Sequence, residues 1–260
     1  MRYRKLKIRK KIRARVKKNG NLSGAIGNIV FVNDGGREFV RAKPDRVKQT
    51  AQTKAAAGVF GLVSSREKTF RLQVLRMLGV PAPQYFAAKQ RARIRKTVTA
   101  DTGIGSATSS GFGNPQALAG FSFNPKMEWE SCTNFFLTFE MESNGEMKVH
   151  LPELKWKNQI IPVKNSSSAV LTLVAITADL NKEAVPIKEV AKLELEISGT
   201  SAVPAQDWIF PVDAAEGWLL IIGCLKFGAP NQSSVMKEAF SAAYLWTGML
   251  MSTHLSTFED

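Results

Sequence analysis

Every odd position from Lys5 to Lys17 is basic: Lys5, Lys7, Arg9, Lys11, Arg13, Arg15 and Lys17. The even positions between them are Leu6, Ile8, Lys10, Ile12, Ala14 and Val16, all apolar except Lys10. A period of two sends alternate side chains to opposite faces of a strand, so one face becomes a cationic ladder and the other an apolar strip. The helical template fits less well, because Leu6 and Ala14 fall off the stripe made by Ile8, Ile12 and Val16. Like charges stacked this closely repel, so such a strand calls for an anion or for wide solvent exposure. The competing reading of residues 1–18 is a disordered basic tail.

Asn19-Gly20 follows and supports a hairpin turn. A β-prone run from Ala25 to Val32 comes next, then the turn Asn33-Asp34-Gly35-Gly36 and the run Glu38–Arg41. These predict a three-stranded antiparallel meander. Lys43-Pro44 ends it, and Thr50 is placed to cap a helix over 51–63. Ser64 or Ser65 opens a second helix to about Leu78, which Gly79-Val80-Pro81 breaks. A third helix is expected over 84–98, with Lys89, Arg91, Arg93, Arg95 and Lys96 crowded into its second half. Cations near a helix C-terminus are favourable with the dipole, but five within eight residues exceeds that need.

The signs of charge are sorted along the chain. Residues 1–100 hold 26 Lys and Arg against 4 Asp and Glu, whereas residues 101–260 hold 10 against 18. A basic first part attracts nucleic acid or another polyanion. It also allows the basic part of one molecule to dock on the acidic part of the next.

Residues 101–117 are rich in Gly, Ser, Thr and Ala and are expected to be a linker, giving a basic hairpin/helix module over 1–100 and a β-rich domain over 118–260. Their glycines lack the Gly-Lys-Ser/Thr of a phosphate loop. Strands are expected at Thr133–Met141, Glu146–Leu151, Ala169–Thr177, Ala191–Ile197 and Trp218–Phe227, while Phe240–Leu250 reads as strand or helix. All five tryptophans lie beyond residue 120, where a core role is expected. The fold class is therefore mainly β with a helical insertion (α+β): a basic β-hairpin/helix module followed by an antiparallel β-sandwich.

Chemistry-bearing motifs are sparse. Cys132 and Cys224 sit in apolar contexts and read as buried thiols; neither joins a metal-ligand spacing. His150 and His254 have no ligand partner at metal spacing, and no nucleophile elbow, zinc-protease or dinucleotide fingerprint occurs. Glu140 and Glu142 would share a strand face, which solvated glutamates explain as well as acid–base work does. No enzyme, cofactor or metal is expected. No apolar run approaches the roughly 18 residues of a spanning helix, and no signal-peptide pattern follows the opening cations, so a cytoplasmic or particle-bound protein is expected.

The runs Gly24-Ala25-Ile26-Gly27-Asn28-Ile29-Val30, Arg41-Ala42-Lys43-Pro44, Gln49-Thr50 with Phe60-Gly61, and Gly120-Phe121-Ser122-Phe123-Asn124 resemble a group of uncharacterised bacterial proteins, mostly from Bacteroidota. The resemblance implies a Gly-rich N-terminal hairpin, a helix after the Arg-x-Lys-Pro step and a β-rich C-terminal part. It implies no activity. The basic segment 1–18 departs from that group's pattern.

The functional expectation is a non-catalytic, homo-oligomeric assembly protein, nucleoprotein or virion-like. Its polyanion-facing residues would be Lys5, Lys7, Arg9, Lys11, Arg13, Arg15 and Lys17 with Lys89, Arg91, Arg93, Arg95 and Lys96. Contacts of this kind meet phosphates without reading sequence. The alternative is a fibre or shell subunit without nucleic acid, in which Leu6, Ile8, Ile12 and Val16 dock the N-terminal strand on a neighbour.

Overall fold

A computed structural model describes residues 15–16, 20, 22–34, 37–43, 49–100, 110–212, 216–228 and 235–250. The chain forms two compact units, Met1–Ala55 and Ala56–Asp260. In the first, β1 (Arg15–Val16), β2 (Leu22–Ile26), β3 (Ile29–Asp34) and β4 (Arg37–Ala42) make an antiparallel sheet in sequence order. The run expected as one strand from Ala25 to Val32 is broken by a turn at Gly27-Asn28. Ile26 pairs with Ile29, and Gly27 has φ +60°, the conformation a II′ hairpin turn needs at its first central residue.

The helix α1 runs unbroken from Ala51 to Leu78, where two helices were expected. Thr50 caps it, its Oγ1 accepting from the Thr53 N–H at 3.1 Å. The serines expected to start a new helix do not interrupt it, because the Ser65 hydroxyl donates to the Leu62 carbonyl one turn back. Gly79, at φ +61°, ends it, and the Val80 N–H reaches back to the Leu75 carbonyl. The second helix, α2 (Phe86–Arg95), is shorter than expected and buries Phe86, Gln90 and Ile94.

Within Ala56–Asp260, β9 (Ser168–Ala178), β10 (Ile187–Ser198), β12 (Gly217–Gly228) and β13 (Val235–Leu250) form the central antiparallel sheet, in the order β10-β9-β12-β13. The run left open between strand and helix is thus strand. A second antiparallel sheet, ordered β11-β8-β7, joins β7 (Thr138–Met141), β8 (Glu146–Leu151) and β11 (Gln206–Pro211). β11 is a strand the sequence reading missed, and β7 is shorter than expected.

The central sheet is covered on both faces. Leu171, Leu173, Leu219, Ile221 and Phe227 pack on Met147, Val149, Trp208 and Phe210 of the smaller sheet. The opposite face, with Val174, Ile176, Leu220, Ile222 and Tyr244, packs on Phe70, Val74 and Leu78 of α1 and on Phe86 and Ile94 of α2. This double covering explains the near-continuous apolar sequence of β12, which has no solvent side to alternate with. It also explains why the compact units divide within α1 and not at the Gly/Ser-rich stretch: the helices share a core with the central strands.

The end of the expected linker is built into this body. Ser110–Phe112 forms β6, paired with β5 (Val98–Ala100). The Asn181 amide brackets Phe112, accepting from its N–H at 2.8 Å and donating to its carbonyl at 3.2 Å. Residues 101–109 lie outside the described residues.

Candidate polyanion-binding surface

Lys5, Lys7, Arg9, Lys11, Arg13 and Lys17, with Leu6, Ile8 and Ile12, lie outside the described residues. Of that alternating segment the structure describes β1, where Arg15 pairs with Ser23 and Val16 with Leu22. Val16, on the apolar side of the alternation, is 69% exposed.

The registers of β2, β3 and β4 sort the rest of this sheet by face. Phe31 lies opposite Val40, Ile29 opposite Ala42 and Ile26 opposite Ile29, which gathers these apolar residues on one side. Ile26, Ile29 and Val40 remain exposed there. Val32 lies opposite Phe39 and Val30 opposite Arg41, so Arg37, Phe39 and Arg41 share the other side at two-residue spacing. Every residue of β4 is exposed. The alternation that puts two arginines and an aromatic residue on one strand face was readable in Arg37-Glu38-Phe39-Val40-Arg41. It was missed because the longer ladder upstream dominated the reading.

The five cations of α2 do not form one patch. Lys89, Arg93 and Lys96 recur at i, i+4 and i+7 on one side of the helix, and Arg91 and Arg95 at i and i+4 on another, flanking the buried stripe. Arg91 and Arg93 are held within the fold. The Arg91 guanidinium lies 3.7 Å from Glu67 and over the Phe60 ring, and Arg93 donates to the Ala117 carbonyl at 3.3 Å and lies over the Phe121 ring. The side chains of Lys89, Arg95 and Lys96 make no hydrogen bond or ion pair to any described residue. Lys89, Arg93 and Lys96 line a cleft of about 390 Å³, whose other wall carries Glu128 and Glu130.

Glu67 is the negative centre of the α1–α2 contact. Its side chain is fully buried and accepts from Arg71 Nε at 2.7 Å. Burial raises its carboxyl above the usual range, against the opposing pull of Arg71 and Arg91. Beside it, burial and the nearby Glu67 charge push the Tyr244 hydroxyl well above the usual phenol range, although Gln90 hydrogen-bonds to it.

The remaining candidates are structural or solvated. Cys132 and Cys224 are buried free thiols, and burial pushes Cys224 up to about 12. His150 lies 2.7 Å from Asp207, which also meets Lys148 at 3.0 Å. The hydrogen bonds from His150 and Lys148 hold the Asp207 carboxyl below its usual range. Glu140 faces Lys148 across the β7–β8 pair, on the same solvated side. Among the described residues no three His, Cys, Asp or Glu side chains converge as a metal site would require. Among them, too, no helix is long and apolar enough to cross a membrane. Compared with protein-family models, curated proteins and solved structures, the chain matched none.

Proposed function

We propose that this chain is a non-catalytic assembly protein whose N-terminal unit engages a polyanion, nucleic acid foremost, within a larger complex. The observation that carries this reading is the distribution of charge between the two units. Met1–Ala55 holds 17 Lys and Arg against 3 Asp and Glu, a net +14. Ala56–Asp260 holds 19 of each, so the first unit accounts for the whole formal charge of the protein. Charge concentrated in so short a segment, with Arg37 and Arg41 on an open sheet face, favours phosphate contacts and releases counterions on binding. The resemblance to bacterial proteins of unknown role adds no activity to this reading.

The test is size-exclusion chromatography with light scattering and absorbance at two wavelengths, in low and then high salt. A large species that absorbs as nucleic acid and falls apart in salt is the expected result. Replacing Lys7, Arg9, Lys11 and Arg13 with Gln should then reduce the slope of log affinity against log salt by about 4 on duplex DNA and about 3 on single strands. Unchanged affinity and slope would show that these arm cations meet no phosphate and would count heavily against the nucleic-acid reading.

A second reading, a fibre or shell subunit without nucleic acid, is favoured by the exposed Ile26, Ile29 and Val40 on one face of the N-terminal sheet. A large species with pure protein absorbance supports it.

A further inference from the structure

Two sheets of the Ala56–Asp260 unit present neighbouring edge strands, β7 and β13, whose Phe139 and Trp246 rings lie 6.4 Å apart. Segment 120–123 pairs with the outer edge of β13 as far as Tyr244: the Gly120 N–H donates to the Tyr244 carbonyl and the Tyr244 N–H to the Phe121 carbonyl. Beyond Tyr244 no described residue pairs with that edge, and none pairs with the outer edge of β7. Between these edges lies a groove of about 500 Å³ whose lining includes Trp129, Phe135, Phe136, Phe139 and Leu245. Phe136 is 90% exposed at its rim, an unusual cost for a large aromatic side chain. Glu130 is the charged residue of the lining, Glu128 joins it in the adjoining cleft, and Glu140 and Glu142 are exposed on and just beyond β7.

We infer that this groove receives residues 5–17 of a second copy of the chain, added as a strand. The inference rests on the proposed assembly role and names its subunit contact. Three observations select this occupant. The alternation in 5–17 supplies an apolar strip of Leu6, Ile8, Ile12, Ala14 and Val16 suited to an aromatic floor. Val16, the described member of that strip, is left 69% exposed by its own subunit. The opposite, cationic strip belongs to a unit of net +14, and although Ala56–Asp260 is neutral overall, the charged side chains gathered at and around the groove include the carboxylates of Glu128, Glu130, Glu140 and Glu142. Main-chain hydrogen bonds to an open edge provide affinity, and alternate side chains in the groove provide register.

The contact joins unlike surfaces, so it propagates head to tail into a ring or a filament. This gives a complementation test on the full-length chain, in salt high enough to strip nucleic acid. One variant carries Ile8→Ser and Ile12→Ser in the arm; the other carries Phe136→Ser, whose exposure spares the fold. Wild type should form oligomers that grow with concentration by light scattering. Each variant alone should run as a monomer, and an equimolar mixture should form a one-to-one dimer through the intact arm of one and the intact groove of the other. A monomeric wild type, variants that assemble as wild type does, or a mixture that stays monomeric would each overturn the inference. Nucleic-acid binding is read separately by fluorescence anisotropy. Its loss with assembly intact would defeat the polyanion reading alone, and its retention by a monomeric wild type would defeat the groove alone.

Discussion

The Gln90 side-chain amide donates a 2.7 Å hydrogen bond to the Tyr244 hydroxyl, joining two fully buried residues 154 positions apart. This bond fastens α2 to β13 inside the core, where Tyr244 also meets the rings of Phe70, Phe121 and Phe123. Tyr244→Phe keeps the ring and leaves the Gln90 amide buried without its acceptor. The expected loss is about 1–3 kcal/mol in urea unfolding. Gln90→Leu added to Tyr244→Phe should recover part of it, because removing both polar partners removes the desolvation penalty. A single variant as stable as wild type would show that the bond is not formed.

Gly223 is set by a different constraint. A Cβ built there would approach the Trp129 ring and the Leu245 side chain each at 2.6 Å. The glycine interrupts the apolar run of β12 so that Trp129 can lie against the central sheet. Gly223→Ala should therefore destabilise by overpacking, by about 1–3 kcal/mol, although alanine is the better strand residue in isolation. Trp129→Leu in the same background should restore part of the loss, which a purely backbone effect would not allow.

These two sites mark where the sequence was and was not legible. The strands of the central sheet announce themselves through β-branched and aromatic runs, and Thr50 and Gly79 bound α1 by local chemistry alone. The covering of the sheet by α1 and α2 depends on which apolar stripe meets which face, and periodicity carries no address. Phe70, Val74 and Leu78 fall on one stripe at helical spacing, but nothing local ties them to Leu220 or Tyr244. Ser64 and Ser65 misled because an N-cap serine and a serine bonded to the preceding turn look alike in sequence. The α2 cations read as one cluster because composition ignores the angle between side chains; on the helix they fall on two sides, and Glu67 and Ala117 claim two of them. Glu67 itself, the lone acid among the basic residues of 56–100, was the available signal for a buried ion pair and passed unread.

Glu67 gives a prediction with a defined sign. Glu67→Ala leaves Arg71 and Arg91 without their carboxylate, and should cost about 3–5 kcal/mol. Glu67→Gln retains an acceptor for Arg71 and should cost less. The raised carboxyl means that the folded chain holds this proton more tightly than the unfolded chain, whose reference value is 4.5. Between that value and the raised one, unfolding releases a proton, so this group's contribution is full at lower pH and is lost as pH rises. The stability of Glu67→Gln relative to wild type should therefore improve as pH climbs from about 4 to 7. A difference that is flat, or that moves the other way, would show that Arg71 and Arg91 outweigh burial at this site.

The two sides of α2 separate binding from folding. Lys89, Arg95 and Lys96 are exposed and unengaged among the described residues, so replacing all three with Gln should leave stability within about 0.5 kcal/mol per site. If they meet phosphates, the same triple variant should lower the salt slope of nucleic-acid binding by about 2–3. Arg91→Gln should behave in the opposite way. It removes a partner of buried Glu67 and the cation over Phe60, so the loss appears in urea unfolding, while the salt slope of the folded fraction stays near that of wild type. If the triple variant binds with an unchanged slope, α2 contributes no phosphate contact, and the polyanion surface is confined to Met1–Ala55, where the net charge of the protein resides.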